Sequence, residues 1–149
     1  MRVCFVLTIV LFSSVYVQAQ TIKKPAPAQI SLSSAAKSSP AYSEVLLRKT
    51  ERESELEEFL LTYKEEFPKV MEIRFELGLL QKEADKIIAV NASEAGKLTL
   101  ALGKLMVRKI EIETDLWNLR QQYNNDHPEV KRTRRKIEIF EKSIKEILQ

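Results

Sequence analysis

Residues 116–134 read LWNLRQQYNNDHPEVKRTR, and residues 56–74 read LEEFLLTYKEEFPKVMEIR. The two stretches share one pattern, an apolar helical stripe followed by Tyr-x4-Pro-x-Val-x3-Arg, and sixty residues separate the copies without an insertion. A fixed period indicates one structural unit used twice. The residues that define the repeated turn motif are Tyr63, Pro68, Val70 and Arg74 in the first copy and Tyr123, His127, Pro128, Val130 and Arg134 in the second.

Apolar residues on both sides of each proline recur at alternating steps of three and four, the spacing of packed α-helices. The chain is 30% charged and has only three glycines, a composition typical of long helices rather than of a β-sandwich or barrel. The sequence therefore predicts an all-α fold of two tandem antiparallel helical hairpins, elongated and coiled-coil-like. Hairpin repeat 1 is expected at residues 40–90 and hairpin repeat 2 at residues 94–149.

Each proline junction admits two interpretations. Pro disfavours helix at the preceding residue, and four residues fit a short loop between antiparallel helices. Alternatively, one kinked helix continues through the junction, at a cost of about 3 kcal/mol for an interior proline. The hairpin is favoured because the continuous stripe would place Glu66 and Asp126 in the seam.

Local signals predict the helix ends. Ser39 and Pro40 suit the cap and first position of the first helix, which should reach Tyr63 or Glu65. Ser93 is expected to cap a third helix that begins near Glu94. Three cations interrupt the predicted seams, and we expect them to weaken the open ends of the hairpins and to permit self-association: Lys49, Arg52 and Lys109.

The N-terminus predicts export. Arg2, the apolar residues 3–17 and the small residues Val17 and Ala19 match a signal peptide at residues 1–19. An uncleaved signal anchor is the open alternative, and we expect no stable membrane insertion after cleavage. Residues 20–39, with Pro, Ser, Ala and Lys, predict a disordered linker. The single cysteine, Cys4, would leave with the signal peptide.

Few side chains suggest chemistry. The formal charge of +3 does not predict nucleic-acid binding, and the lone His127 cannot build a multi-histidine metal site. His127 is expected to close the turn or cap the following helix. Arg74 and Arg134 are expected to stack on the tyrosines or bond the last helical carbonyls, and solvated arginines are the open alternative. Trp117 is a possible partner contact or a helix-flank residue. We expect no catalytic residue, cofactor or metal.

The run from Leu116 through Leu119, Tyr123, His127-Pro128 and Val130 resembles the Leu-x-x-Leu-x-x-x-Tyr-x3-His-Pro-x-Val signature of the polysaccharide co-polymerase, or chain-length determinant, family. The resemblance covers about thirty residues of the family's periplasmic coiled coil and implies an antiparallel helical hairpin. The family's paired transmembrane helices and kinase domain have no counterpart here, so its role in polymer export is not carried over.

The sequence thus predicts a non-enzymatic, secreted or periplasmic coiled-coil scaffold that binds a protein partner or itself through its helices, with a possible link to polysaccharide assembly. The alternative is a periplasmic holdase-type chaperone with helical arms, which would require strands for its trimeric body.

Overall fold

The computed structural model describes residues 34–149, and the predicted signal peptide and most of the predicted linker lie outside this part. Four α-helices follow one another: α1 (Pro40–Leu60), α2 (Pro68–Ile88), α3 (Leu100–Gln122) and α4 (Pro128–Leu148), with a 3-10 helix at Ala92–Lys97 between α2 and α3. The described residues form no strand, so the all-α prediction is confirmed.

A proline, a capping side chain or both begin each of the four α-helices. Pro40, Pro68 and Pro128 occupy the first turns of α1, α2 and α4, where the missing N–H has no intrahelical acceptor to lose. The Ser39 hydroxyl accepts a hydrogen bond from the Tyr42 N–H at 3.2 Å, which confirms the predicted cap of α1. α1 ends at Leu60, three residues before Tyr63 and five before Glu65, the two predicted ends.

The predicted linker ends earlier than expected. Residues 34–37 form a helical turn, and Ala36 is buried in the core beside Ala41 and Leu98. The Ser39 hydroxyl donates to the Ala36 carbonyl at 2.6 Å. A Ser/Ala-rich composition suggested no burial, but a methyl side chain is small enough to fit this crowded helix end.

The third helix begins six residues later than predicted. Residues 92–97 are 3-10, Leu98 leaves the helical conformation, and Thr99 rather than Ser93 caps α3 by accepting from the Leu102 N–H at 3.3 Å. The break turns the Leu98 carbonyl toward α1, where it accepts from the Ala41 N–H at 3.2 Å. The non-helical residues between α2 and α3 therefore satisfy an orphan donor of another helix.

The backbone leaves the helix at both proline junctions, so a continuous kinked helix is not observed. Phe59 near the end of α1 lies against Phe67 just before α2, while Arg48, three turns earlier in α1, reaches Glu76 two turns into α2. In the second copy Arg134 of α4 bonds Asn125, and Lys97 before α3 bonds the carbonyl of Leu148 at the end of α4. In both α1–α2 and α3–α4, the end of the first helix thus lies beside the start of the second, and residues nearer the start of the first helix lie beside residues further along the second.

Helix α3 is the centre of the molecule, because it packs against α1, α2 and α4, and α1 also packs against α2. The larger apolar core fills the end where α1 and α3 begin, which we call the chain-start end. Its buried residues are Ala36, Ala41, Val45, Leu80, Ala84, Ile87, Leu98, Leu102, Met106 and Ile110. A smaller core joins α3 to α4 through Ile112, Leu116, Val130 and Ile137.

Gly103 sets the closest approach of α1 and α3. A Cβ at this position would lie 2.8 Å from the Glu44 Cβ and 2.9 Å from the Ala41 Cα and carbonyl oxygen. Two of these three atoms belong to the backbone, which cannot move aside without displacing α1. The α1–α3 crossing therefore requires a residue without a side chain.

None of the helices in residues 34–149 combines the length and the apolar character that crossing a membrane would require.

Candidate functional site

The repeated turn has the same backbone bonding in both copies. The Tyr63 and Tyr123 N–H groups donate to the Phe59 and Leu119 carbonyls, both at 2.8 Å. Four residues on, Phe67 donates to Lys64 at 3.0 Å and His127 to Asn124 at 3.2 Å. The duplication predicted from the sequence therefore extends to individual hydrogen bonds. Val70 and Val130, one turn into the next helix, are both fully buried.

An aromatic stack closes each turn. The Tyr63 and Phe67 rings lie 4.1 Å apart between centroids and are inclined by 13°, and the Tyr123 and His127 rings lie 4.1 Å apart and are inclined by 20°. Both tyrosines are more than two-fifths exposed, so they pack on the turn and not in the core. Phe and His are interchangeable here because either presents a flat ring to the tyrosine.

The prediction for the repeated arginines was wrong about their partners. Arg74 forms an ion pair with Glu65, and Arg134 donates to the Asn125 side-chain oxygen at 3.3 Å. Glu65 and Asn125 are themselves equivalent positions of the two copies. The neighbouring aromatic ring already occupies the tyrosine face, so the guanidinium reaches the oxygen at the tip of the turn.

His127 has the capping role that was expected of it. Its Nδ1 accepts a hydrogen bond from the Glu129 N–H at 3.3 Å, and its ring stacks on Tyr123. Asn124 adds a second local bond, accepting from the Asp126 N–H at 3.1 Å. Turn closure therefore accounts for the polar contacts of His127.

The two turns lie at the same end of the molecule, where the first turn and the end of α3, just before the second turn, border a cavity of about 650 Å³. We call it the turn-end groove. Its lining residues come from the start of α2 and the end of α3: Phe67, Pro68, Lys69, Met71, Glu72, Trp117, Asn118, Gln121 and Gln122. Apolar surface dominates, with amide and charged groups at the rim, the composition of many binding clefts.

Trp117 joins the groove to the helix packing. Its ring stacks on Phe75 with centroids 5.3 Å apart and an inclination of 19°, and the side chain remains partly exposed. Trp117 is therefore a helix-flank residue, and its contact with a partner stays a proposal. Sequence reasoning missed Phe75, because that side chain lies beside the predicted seam of α2.

The polar rim of the groove is ordered by ionic contacts. Glu72 accepts from Lys69 at 2.6 Å and from Asn118 at 2.8 Å, which links α2 to α3. Burial disfavours the charged form of Glu72, but hydrogen bonds from Lys69 and Asn118 and attraction to Lys69 and Arg52 outweigh burial and lower its pKa. The carboxylate is thus held ionised beside Trp117.

Two of the three cations predicted in the seams, Arg52 and Lys109, are neutralised by buried glutamates, whereas Lys49 pairs at 2.8 Å with Glu53, a half-exposed residue of its own helix. Lys109 is 6% exposed and donates to Glu83, 4% exposed, at 2.6 Å. Glu76, also buried, lies 3.0 Å from the Arg48 Nε and 3.2 Å from the Arg52 Nε. Arg52 and Lys109 therefore connect α2 to α1 and α3, where the sequence predicted weakened hairpin ends.

The Lys109–Glu83 pair is ionised on both sides. Burial opposes ionisation of Glu83, but hydrogen bonds from Lys109 and Lys86 and attraction to both outweigh it and lower the pKa of Glu83. Burial likewise opposes the charge on Lys109, yet the bond to Glu83, with the fields of Glu83, Glu113 and Glu141, raises the pKa of Lys109. Its Nζ also lies 3.7 Å from the carboxylate of Glu113.

Within the described part of the chain, no three His, Cys, Asp or Glu residues converge as metal ligands. No protein-family model, curated protein or solved structure is detectably similar to this sequence.

Proposed function

We propose that this protein is an exported, non-enzymatic coiled-coil scaffold that binds a protein partner at the turn-end groove. The observation that carries the proposal is the position of Trp117, partly exposed in a mostly apolar cavity and fixed by its stack on Phe75. A preorganised aromatic side chain loses little entropy on binding and is favoured at the centre of interfaces.

In this scaffold α1–α2 and α3–α4 form two tandem hairpins, with the duplicated turns as their tips. Two observations support this assignment. The contacts within each pair run in opposite directions along the two helices, and the turn-end groove lies between the first turn and the end of α3. A partner at this groove would touch both copies of the repeat. Self-association of the scaffold through its helices is the second form that the interaction could take.

Export rests on the signal-peptide pattern of residues 1–19, and a place in the cell envelope rests on the resemblance to the periplasmic segment of polysaccharide co-polymerases. The signature that carries the resemblance lies at residues 116–130 and includes the turn of the second copy. We therefore propose a secreted or periplasmic protein whose partner belongs to the envelope, with polysaccharide assembly as the candidate pathway. The holdase alternative requires strands, and residues 34–149 contain none that would support it.

Site-specific photo-cross-linking in living cells tests the partner site. A photoreactive residue at Met71 or Gln121, both exposed, should give a discrete adduct, whereas one at Lys136, exposed on the outer surface of α4, should not. Trp117→Ala should abolish the adduct while leaving the far-UV circular dichroism unchanged. Equal adducts from all three positions, or an adduct that survives Trp117→Ala, would contradict the proposal.

A further inference from the structure

The turn-end groove is electrically neutral. Its lining contains two charged residues, Lys69 and Glu72, whose side chains pair with each other at 2.6 Å. The other carboxylate oxygen of Glu72 accepts from the Asn118 amide at 2.8 Å, and the Lys69 Nζ also lies 3.7 Å from a carboxylate oxygen of Glu55. Because each charge of the lining already has its counter-ion, the groove favours an uncharged occupant over a charged one.

Three polar groups of the groove have no hydrogen-bond partner within residues 34–149. They are the indole N–H of Trp117 and the side-chain amides of Gln121 and Gln122. The two glutamines are exposed, and the unbonded indole N–H is not buried. An occupant with free backbone carbonyls would bond these donors, whereas the carbonyls in the interior of a helix are already bonded within the helix.

The apolar part of the groove consists largely of fixed rings. Phe67 stacks on Tyr63 with centroids 4.1 Å apart, and Trp117 stacks on Phe75 with centroids 5.3 Å apart. Met71 adds exposed apolar surface beside them. Fixed rings suit an apolar group that is itself rigid, because neither side then loses much conformational entropy on contact.

The groove is also short. Residues 67–72 around the start of α2 and residues 117–122 at the end of α3 supply its whole lining. Each range advances by about 7–8 Å along its helix. Three residues in the polyproline II conformation, which make one turn, rise by about 9 Å and therefore match this length. A helical partner would place only about one and a half turns against the groove, and most of it would lie outside.

A proline-rich segment combines the properties that these observations require. The proline ring presets φ at about −65°, which lowers the conformational entropy lost on binding. The polyproline II conformation has no internal hydrogen bonds, so its carbonyls remain available to donors. Grooves that bind such segments are lined by aromatic side chains, as this groove is.

We propose that the turn-end groove binds an uncharged, proline-rich segment of the partner protein in the polyproline II conformation. A proline ring packs against Trp117 and Met71, and neighbouring carbonyls accept from the Trp117 N–H and from the amides of Gln121 and Gln122. This inference rests on the proposed function, because it specifies the partner segment for the same groove.

Peptide binding tests the inference. The probe is a labelled decapeptide of alternating alanine and proline, blocked at both ends, and the matched probe without proline is a blocked decapeptide of alanine and glutamine. Fluorescence polarisation should show saturable binding of the proline peptide, at least about tenfold tighter than that of the proline-free peptide. Trp117 is the only tryptophan of the chain, so its emission should change when the unlabelled proline peptide binds.

Matched variants test the contacts. Gln121→Ala with Gln122→Ala, and separately Met71→Asp, should each weaken binding of the proline peptide several-fold. The controls are Gln81→Ala and Leu47→Asp, which should leave binding unchanged, since both residues are exposed on helices and do not line the groove. Unchanged far-UV circular dichroism verifies that each variant is folded.

Four results would each overturn the inference. They are no saturable binding up to about 1 mM peptide, equal or tighter binding of the proline-free peptide, unchanged Trp117 emission, and equal effects of the groove and control variants. The cellular cross-link at Met71 or Gln121 tests the partner site independently of these peptides. If that adduct forms and the proline peptide does not bind, the partner site stands and the chemistry inferred for its partner is wrong.

Discussion

Replacing Gly103 with alanine should destabilise the protein, whereas the same replacement at Gly78 should stabilise it. Both glycines lie inside helices, where alanine is favoured by about 0.5–1 kcal/mol through backbone entropy. At Gly78 a Cβ meets nothing within 4 Å. The free energy of unfolding of Gly78→Ala should therefore rise by about 1 kcal/mol.

At Gly103 the helical gain is opposed by a clash. The new Cβ would lie 2.9 Å from the backbone of Ala41, and α1 would have to withdraw by about 0.5 Å to reach the 3.4 Å of an ordinary contact. Forcing a methyl into a close-packed interior costs about 1–3 kcal/mol. Gly103→Ala should thus be less stable than Gly78→Ala by about that amount, and Gly103→Val by more.

Urea unfolding of the wild type and the two alanine variants measures this difference, with equal m-values as the condition for comparing midpoints. Comparing Gly103→Ala with Gly78→Ala cancels the helix-propensity contribution to the unfolding free energy, because this contribution is common to both sites. If Gly103→Ala proved as stable as Gly78→Ala, the close approach of α1 and α3 would not exist in solution.

Three further changes test the ionic groups and the turn. Lys109→Met leaves Glu83 buried without its main partner and should cost about 3 kcal/mol of unfolding free energy in urea melts, most of which Glu83→Met in the same chain should restore. The pKa of Glu113 is raised above 4.5, so the folded protein binds this proton more tightly than the unfolded chain, and ionisation of Glu113 at higher pH lowers the stability of the fold. Glu113→Gln should therefore raise the melting temperature at pH 7 and change it little at pH 3. The lowered pKa of Glu83 has the opposite sign, so the contribution of its ion pairs should be lost as the pH falls through a value below 4.5, and the Lys109→Met penalty should shrink there. His127→Phe reproduces the first copy of the turn and should change the unfolding free energy by less than about 1 kcal/mol, whereas His127→Ala, which loses the stack and the cap, should cost about 1–3 kcal/mol in thermal melts.

The sequence was most informative where a covalent constraint acts locally. The rings of Pro68 and Pro128 fix the backbone at the first helical turn, and both helices begin at these residues. The period of sixty identified equivalent positions, and the hydrogen bonds of the two turns follow it. Even the exchange of Phe67 for His127 was consistent with one turn geometry, since a planar ring satisfies both.

The sequence was least informative about residues whose partners lie on another helix. Glu76 and Glu83 look like surface charges along α2, because a helical period identifies only apolar stripes. Their burial depends on Arg48, Arg52 and Lys109, which approach only after α1 and α3 have packed. The break at Leu98 has the same origin, since its carbonyl accepts from Ala41 in a different element.

The candidate site, too, could be predicted from the sequence only in part. Trp117 was identified by residue type alone, yet its stack on Phe75 and the turn-end groove depend on how the second copy lies beside the first. The repeated arginines were placed on the correct side of each turn, but their acceptors are side chains at Glu65 and Asn125 that vary between the copies.

Both turns lie at one end of the molecule, and residue 34 lies at the other. The twenty-one residues of α1 separate these ends by about 32 Å. If the residues before position 34 were attached to a surface, the two turns would lie at the far end of the bundle, about one membrane core thickness from that surface. In that geometry the length of α1 sets the distance between the attached end and the turns. Inserting or deleting whole heptads in both copies would change this distance without altering the turns.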